Sequence, residues 1–119
     1  MAAAQHAAIG AKICTNSMFR LFAFESSRLV AAGRALADGR DCAYLCDIAV
    51  APSHQGQGLG KEMVGRPVRL SSGHRKINLY AVPGKETFYE GCGFRRMTTA
   101  MAIFEDPTKA YANGYLDRA

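Results

Sequence analysis

Asp47-Ile48-Ala49-Val50-Ala51-Pro52-Ser53-His54-Gln55-Gly56-Gln57-Gly58-Leu59-Gly60-Lys61 joins an apolar, β-prone run to a glycine-rich turn and then to a helix-compatible stretch. Glycines let the backbone approach a ligand closely, and a turn that opens a helix presents several N–H groups at the helix's positive end. Such a turn binds phosphate oxygens. Two commoner nucleotide loops do not fit it. A Walker A loop needs a glycine five residues before Gly60 and a hydroxyl residue after Lys61, where this chain has Gln55 and Glu62. A dinucleotide fingerprint needs GxGxxG, whereas the glycines here fall at Gly56, Gly58 and Gly60, and no long βαβ unit precedes them. The spacing that does fit is Q-x-x-G-x-G, in Gln55, Gly58 and Gly60.

Outward toward the N-terminus, Met18-Glu25 (MFRLFAFE) and Arg28-Leu36 (RLVAAGRAL) flank Ser26-Ser27, which spells a hairpin. Ala37-Asp38-Gly39-Arg40 is a second turn, leading into a third strand, Cys42-Val50, antiparallel to the second. The first half therefore reads as a meander. Toward the C-terminus, Met63, Val64, Val68 and Leu70 recur at helical intervals across Lys61-Leu70. Pro67 removes a backbone hydrogen bond at a cost of about 3 kcal/mol in a helix interior, so the helix is expected to kink or stop near Arg66. Ile77-Val82 has strand length and follows a helix-containing crossover, which predicts parallel pairing with the third strand. Pro83-Gly84 then breaks the run. Lys85-Cys92 reads as a short helix ending at Gly93, and Phe94-Phe104 as a last strand. The tail starts at Asp106-Pro107 and is expected to form a helical turn or two through Ala112 before fraying. The fold class is mixed α/β, with a domain over residues 18–104 flanked by an N-terminal segment, 1–17, and a tail, 105–119.

At this point the chain resembles the GCN5-related N-acetyltransferase superfamily. Asp47 to Lys61 looks like the segment with which that family wraps the pyrophosphate of acetyl-CoA, and Phe88-Tyr89-Glu90-Gly91-Cys92-Gly93-Phe94 matches its FYxxxGF pattern. Both segments are especially similar to glucosamine-phosphate N-acetyltransferases and to small uncharacterised bacterial members. The resemblance implies an antiparallel meander, then a parallel strand pair that splays apart around the cofactor, with a crossover helix. It implies acetyl transfer from acetyl-CoA to a primary amine by direct attack through a tetrahedral intermediate; the cofactor-side motifs do not name the acceptor, for which a small molecule ranks first and a peptide second.

The same resemblance assigns site residues. Backbone groups of Ile48, Ala49 and Val50 would pair with the pantetheine arm like an added strand, one N–H lying near the thioester carbonyl, while their side chains belong to the core. Gln55, Gly56, Gln57, Gly58, Leu59, Gly60 and Lys61 would hold the phosphates, and Lys85, Phe88 and Tyr89 would complete the cofactor side. Tyr89 would protonate the departing thiolate. Phe88 reads as core or as a wall of the pantetheine channel. The attacking amine must be neutral, and an ordinary primary amine titrates near about 10.4, so a group must take its proton. Asp47 ranks first for that role, although an aspartate there equally serves as a fixed acceptor. Asp47 and Tyr44 point to opposite faces of an alternating strand unless a bulge intervenes. His54 reads as a polar loop residue beside the phosphates, and His74 as a loop residue before a strand.

Composition narrows the remaining classes. The 119 residues suit one compact domain, and 49% hydrophobic against 21% charged is the balance of a soluble globular chain. No apolar run reaches the roughly 20 residues that span a bilayer, and the Ala-rich start lacks a basic leader, so a cytoplasmic location without membrane association is expected. Cys14, Cys42, Cys46 and Cys92 contain no CxxC pair, and His6, His54 and His74 no ligand spacing, so neither metal nor disulfide is expected. The +5 charge favours anionic partners. Its basic residues are scattered, without the aromatic interleaving of a nucleic-acid groove, so nucleic acid is not expected. Only seventeen residues precede Met18, fewer than the family's usual acceptor wall. Three readings follow: an open pocket, a homodimer whose second subunit completes it, or a non-catalytic CoA-binding or interaction module.

Overall fold

The computed structural model describes residues 17–117. Strands β1 (Phe19–Glu25), β2 (Arg28–Ala37) and β3 (Cys42–Val50) form an antiparallel meander, and β4 (Lys76–Asn78) pairs parallel to β3, in the order β1-β2-β3-β4. Helix α1 (Leu59–Leu70) is the crossover between the parallel pair. This is the expected mixed α/β architecture.

Alternation along the strands decides where α1 packs. Ala31, Ala35, Ala43 and Leu45 are buried on the sheet, and Met63, Val64 and Pro67 on the helix. Small residues on β2 allow the helix to lie close. At Gly33 a Cβ would fall 2.6 Å from Ile48 Cδ1 and 3.6 Å from Met63 Cε, so any side chain there would displace the contact.

The helix does not stop near Arg66. It runs through Pro67 to Leu70. The lost bond falls on the Met63 carbonyl, but the proline ring is fully buried beside Val64, and burying a side chain of that size returns about 1.5–3 kcal/mol, comparable with the penalty. On the solvent face Glu62 accepts from Arg66 Nε at 2.8 Å and from Arg69 Nη2 at 3.2 Å, so these pairs bridge the proline turn.

Two expected strands are corrected. The Ile77-Val82 strand shrinks to Lys76–Asn78, which meets only Cys42, Ala43 and Tyr44 of β3. Farther along, β3 carries a bulge that bends it and ends a straight ladder. Phe94-Phe104 forms no strand, and Met97, Met101 and Ile103 along it are exposed. Apolar content gave that segment strand propensity, but a strand also needs a neighbouring edge to bond.

The chain divides into two compact units between Leu79 and Tyr80. The second holds α2 (Glu86–Gly91) and α3 (Pro107–Ala112). Asp106 caps α3 by accepting the Lys109 N–H at 3.1 Å, with Pro107 in the first turn, as the tail sequence predicted. Rings of Tyr80, Phe104 and Tyr115 pack within this unit at centroid distances of 5.6–6.0 Å. The helix allowed for in the N-terminal segment lies outside the described residues. Among the described residues no helix is long and apolar enough to cross a membrane.

Candidate active site

The glycine segment leaves β3 through a 3-10 turn, Pro52–His54, and enters α1 at Gly58. Gly56 and Gly58 have φ of +77° and +83°, a left-handed region that costs other L-residues about 1–2 kcal/mol. A Cβ at either would meet nothing within 4 Å, so conformation and not crowding calls for glycine. The first intrahelical bond runs from the Glu62 N–H to the Gly58 carbonyl at 3.1 Å. Among the described residues nothing accepts from the N–H groups of residues 56–61. Gln55 Nε2 turns back to donate to the Val50 carbonyl at 3.0 Å, and Gln57 Nε2 donates to the Ser53 carbonyl at 3.4 Å. Six consecutive backbone donors, in a loop tied to its own stem, are therefore left for an acceptor from outside the described residues, as an anion would supply.

Behind the loop, β3 has an irregular stretch. Ala32 pairs with Ala49 and Arg34 with Cys46, so Gly33 stands opposite both Asp47 and Ile48. This is the intervening bulge. Asp47 sits in it at φ +53°, a conformation that aspartate tolerates better than most residues. Arg34 Nε donates to Asp47 Oδ2 at 2.8 Å, and Arg34 Nη1 to Ser17 Oγ at 3.3 Å. The Arg34 side chain is largely buried while Asp47 is exposed. From Leu45 to Val50 no described strand pairs with the β4-side edge of β3. With that edge open, Ile48, Ala49 and Val50 are half-buried and not the enclosed core side chains expected from sequence.

In the second unit, the spacing of FYxxxGF has a local cause. Gly93, at φ +101°, follows the end of α2. Its N–H donates to the Glu90 carbonyl at 3.1 Å, and the Phe94 N–H to the Tyr89 carbonyl at 3.1 Å, a Schellman arrangement. The accompanying apolar contact is between the Phe94 and Tyr89 rings, 6.1 Å apart. Phe88 packs edge-on against Tyr89 at 5.1 Å and is 41% exposed, so it is not a core residue. Lys85 stands at the N-cap position of the helix, where its side chain makes no cap hydrogen bond. Burial pushes the Tyr89 phenol above its ordinary 10.0, and the nearby Cys92 adds to the shift. At neutral pH its proton is in place.

A family model described as the acetyltransferase (GNAT) domain matches residues 17–96, two thirds of the chain. The chain belongs to the GNAT acetyltransferase family. Histone acetyltransferase TAP1 of Glycine max is 36% identical over 72 residues, 59% of this chain and 31% of that protein. The chain thus spans about a third of that relative's length. Among solved structures, a probable acetyltransferase of meticillin-resistant Staphylococcus aureus has a TM-score of 0.73 at 24% identity, covering 81% of this chain and 77% of its own. AAC(6')-Iy, solved with the bisubstrate analogue CoA-S-monomethyl-acetylneamine, has a TM-score of 0.64 at 18% identity over 87% and 80% of the two chains. These two share the fold of this GNAT domain.

Of the residues expected at the site, Asp47 through Lys61 lie in the first unit, and Lys85, Phe88 and Tyr89 in the second. Sequence reasoning missed Arg34, whose partner is thirteen residues away across a strand pair. It also understated His74. That ring is almost fully enclosed: its Nε2 accepts from the Gly39 N–H at 3.0 Å, which leaves Nδ1 to donate to the Ser71 carbonyl at 3.1 Å. His74 therefore pins two turns at the end of the sheet opposite the glycine loop. A solvent-open cavity of about 610 Å³ lies at that same end, lined by Gly39, Arg40, Asp41, Gly73 and Arg75. Among the described residues no three His, Cys, Asp or Glu side chains group as metal ligands.

Proposed function

We propose that this chain is an acyl-CoA-dependent N-acetyltransferase that moves an acetyl group from acetyl-CoA to a primary amine of a small molecule. The observation that carries the reading is the run of six backbone donors without acceptors, residues 56–61, at the start of α1 in a GNAT domain. They fit a pyrophosphate, whose oxygens accept several N–H bonds at once, and the exposed Gln57 and Lys61 side chains stand beside them. The open edge of β3 at Ile48, Ala49 and Val50 fits the amides of a pantetheine arm. A GNAT relative holding a CoA-based bisubstrate analogue supports the same donor, and the +5 charge draws it in.

When bound, acetyl-CoA supplies a thioester whose carbonyl carbon accepts the amine's lone pair as the C–S bond breaks. The chain's own residues manage protons and charge. Tyr89 holds its proton at Oη, kept there by burial, and gives it to the departing thiolate. A backbone N–H of the bulge stretch, residues 48–50, stabilises the developing oxyanion. Asp47 keeps one carboxylate oxygen on Arg34 and uses the other to take the amine proton, directly or through a water.

The test is thiol release from acetyl-CoA across a panel of primary amines, with the affinity for acetyl-CoA measured in parallel. Amine-dependent release supports the proposal. Tight binding with no release for any amine would instead assign the chain as a CoA-binding module.

A further inference from the structure

We infer that His54 and Glu25 form a positioning pair that holds the phosphate loop and makes its affinity for acyl-CoA depend on pH; this rests on the acyl-CoA reading above. His54 ends the 3-10 turn immediately before Gln55, and its ring is tied on both sides. Ser53 Oγ meets Nδ1 at 2.8 Å, and Nε2 meets Glu25 Oε2, the last residue of β1. The glutamine contacts of the loop, Gln55 to Val50 and Gln57 to Ser53, stay within five residues of chain. The His54 contact reaches 29 residues back, to a hairpin turn that contains Ser26 at φ +56°. It is thus the side-chain link between the loop's stem and a separate strand, next to the backbone bond from the Ala51 N–H to the Val30 carbonyl at 2.8 Å.

Charge gives the link a second effect. With His54 protonated the pair is neutral, and with His54 neutral it carries the full negative charge of Glu25 beside a loop meant for phosphates. Glu25 stays ionised throughout, because its hydrogen bond to His54, then the His54 charge, and lastly Arg28 on β2 hold its carboxyl below the usual 4.5 against a small burial effect. Glu25 and Arg28 are the charged groups of the neighbouring strands that face the pair. Protonation of the pair therefore favours an anion on the loop, which should bind acetyl-CoA more tightly at acidic than at basic pH.

Calorimetry with acetyl-CoA at about pH 5.5 and about pH 8, on the wild type, Glu25→Gln, His54→Gln and the double variant, tests this. Titration of the cofactor's own phosphate is common to all four and cancels in their ratios. Affinity of the wild type and of Glu25→Gln, which both keep the His54 proton, should weaken between the two pH values roughly threefold more than that of His54→Gln and the double variant, as expected for one exposed charge beside the loop. His54→Gln should bind several-fold more weakly at low pH, and adding Glu25→Gln should restore part of the loss by removing the orphaned charge. A merely structural role would lower the melting temperature without this rescue. If His54→Gln does not fold, His54→Asn takes its place in the same comparison. Equal pH responses in wild type and His54→Gln, with no rescue in the double variant, overturn the pair and leave the acyl-CoA reading standing. No binding of acetyl-CoA by the wild type overturns both.

Discussion

The glycine loop and the FYxxxGF segment both depend on glycines in the left-handed region, and they use that conformation for opposite ends. At Gly56 and Gly58 the backbone takes the left-handed turn that opens the helix, and among the described residues the N–H groups of residues 56–61 have no acceptor. At Gly93 the same kind of turn folds the N–H groups of Gly93 and Phe94 back onto the last carbonyls of α2 and brings the Phe94 ring to Tyr89. One segment exposes its backbone, and the other satisfies its backbone and presents a side chain. A loop of the first kind is a binding site whose cost of substitution appears when a ligand arrives. A cap of the second kind is part of folding, and its chemistry rests on the phenol it supports.

Four substitutions can break or sharpen that contrast. The largest effect is expected for Tyr89→Phe, which removes the proton donor and keeps the ring: kcat should fall about 100-fold, with acetyl-CoA affinity within about twofold of wild type, measured by thiol release and calorimetry. Gly58→Ala should weaken acetyl-CoA binding about tenfold, since about 1–2 kcal/mol is needed to return an alanine to this backbone and 1.4 kcal/mol is a factor of ten. Gly93→Ala carries the same local penalty, but it should appear as about 1–2 kcal/mol of lost stability in denaturant unfolding, with binding by the folded fraction unchanged. Binding loss at Gly93 together with stability loss alone at Gly58 would reverse the contrast. The smallest effect is expected at Asp38, in the turn between β2 and β3 at the end of the sheet opposite the glycine loop. Its carboxyl is held down to about 2, first by the Arg40 N–H, then by the Asp41 N–H, against some burial, with Cys42 and His74 adding less. A lowered folded value stabilises above the ordinary 3.8 and loses that contribution as pH falls toward about 2. Asp38→Asn should therefore destabilise at neutral pH and flatten the stability decline between those values.

Much of this was legible in the sequence because it is local. Gln55, Gly58 and Gly60 stand beside one another in the chain, and so do Tyr89, Gly93 and Phe94, whose spacing is that of a helix C-terminal cap. The meander was legible for the same reason, through its short turns and strand-length apolar runs. What escaped depends on partners distant in sequence. Nothing around Asp47 marks it as the bulged, left-handed residue, because the bulge exists only in register with Gly33. His54 read as a polar loop residue, and its contact with Glu25 exists only once the hairpin and the turn meet. Pro67 read as a helix stop because its ring's burial against the sheet cannot be seen along one helix. Phe94 to Phe104 read as a strand because composition reports propensity and not the presence of an edge to pair with.

On the proposed function, the N–H groups of residues 56–61 receive the cofactor's phosphates. Amide proton and nitrogen chemical shifts, followed residue by residue as acetyl-CoA is titrated into the labelled wild-type chain, test it most directly. Gly56, Gln57, Gly58, Leu59, Gly60 and Lys61 should show the largest saturable shifts in the first unit. Binding that leaves these six amides unmoved, or the absence of binding, would contradict it.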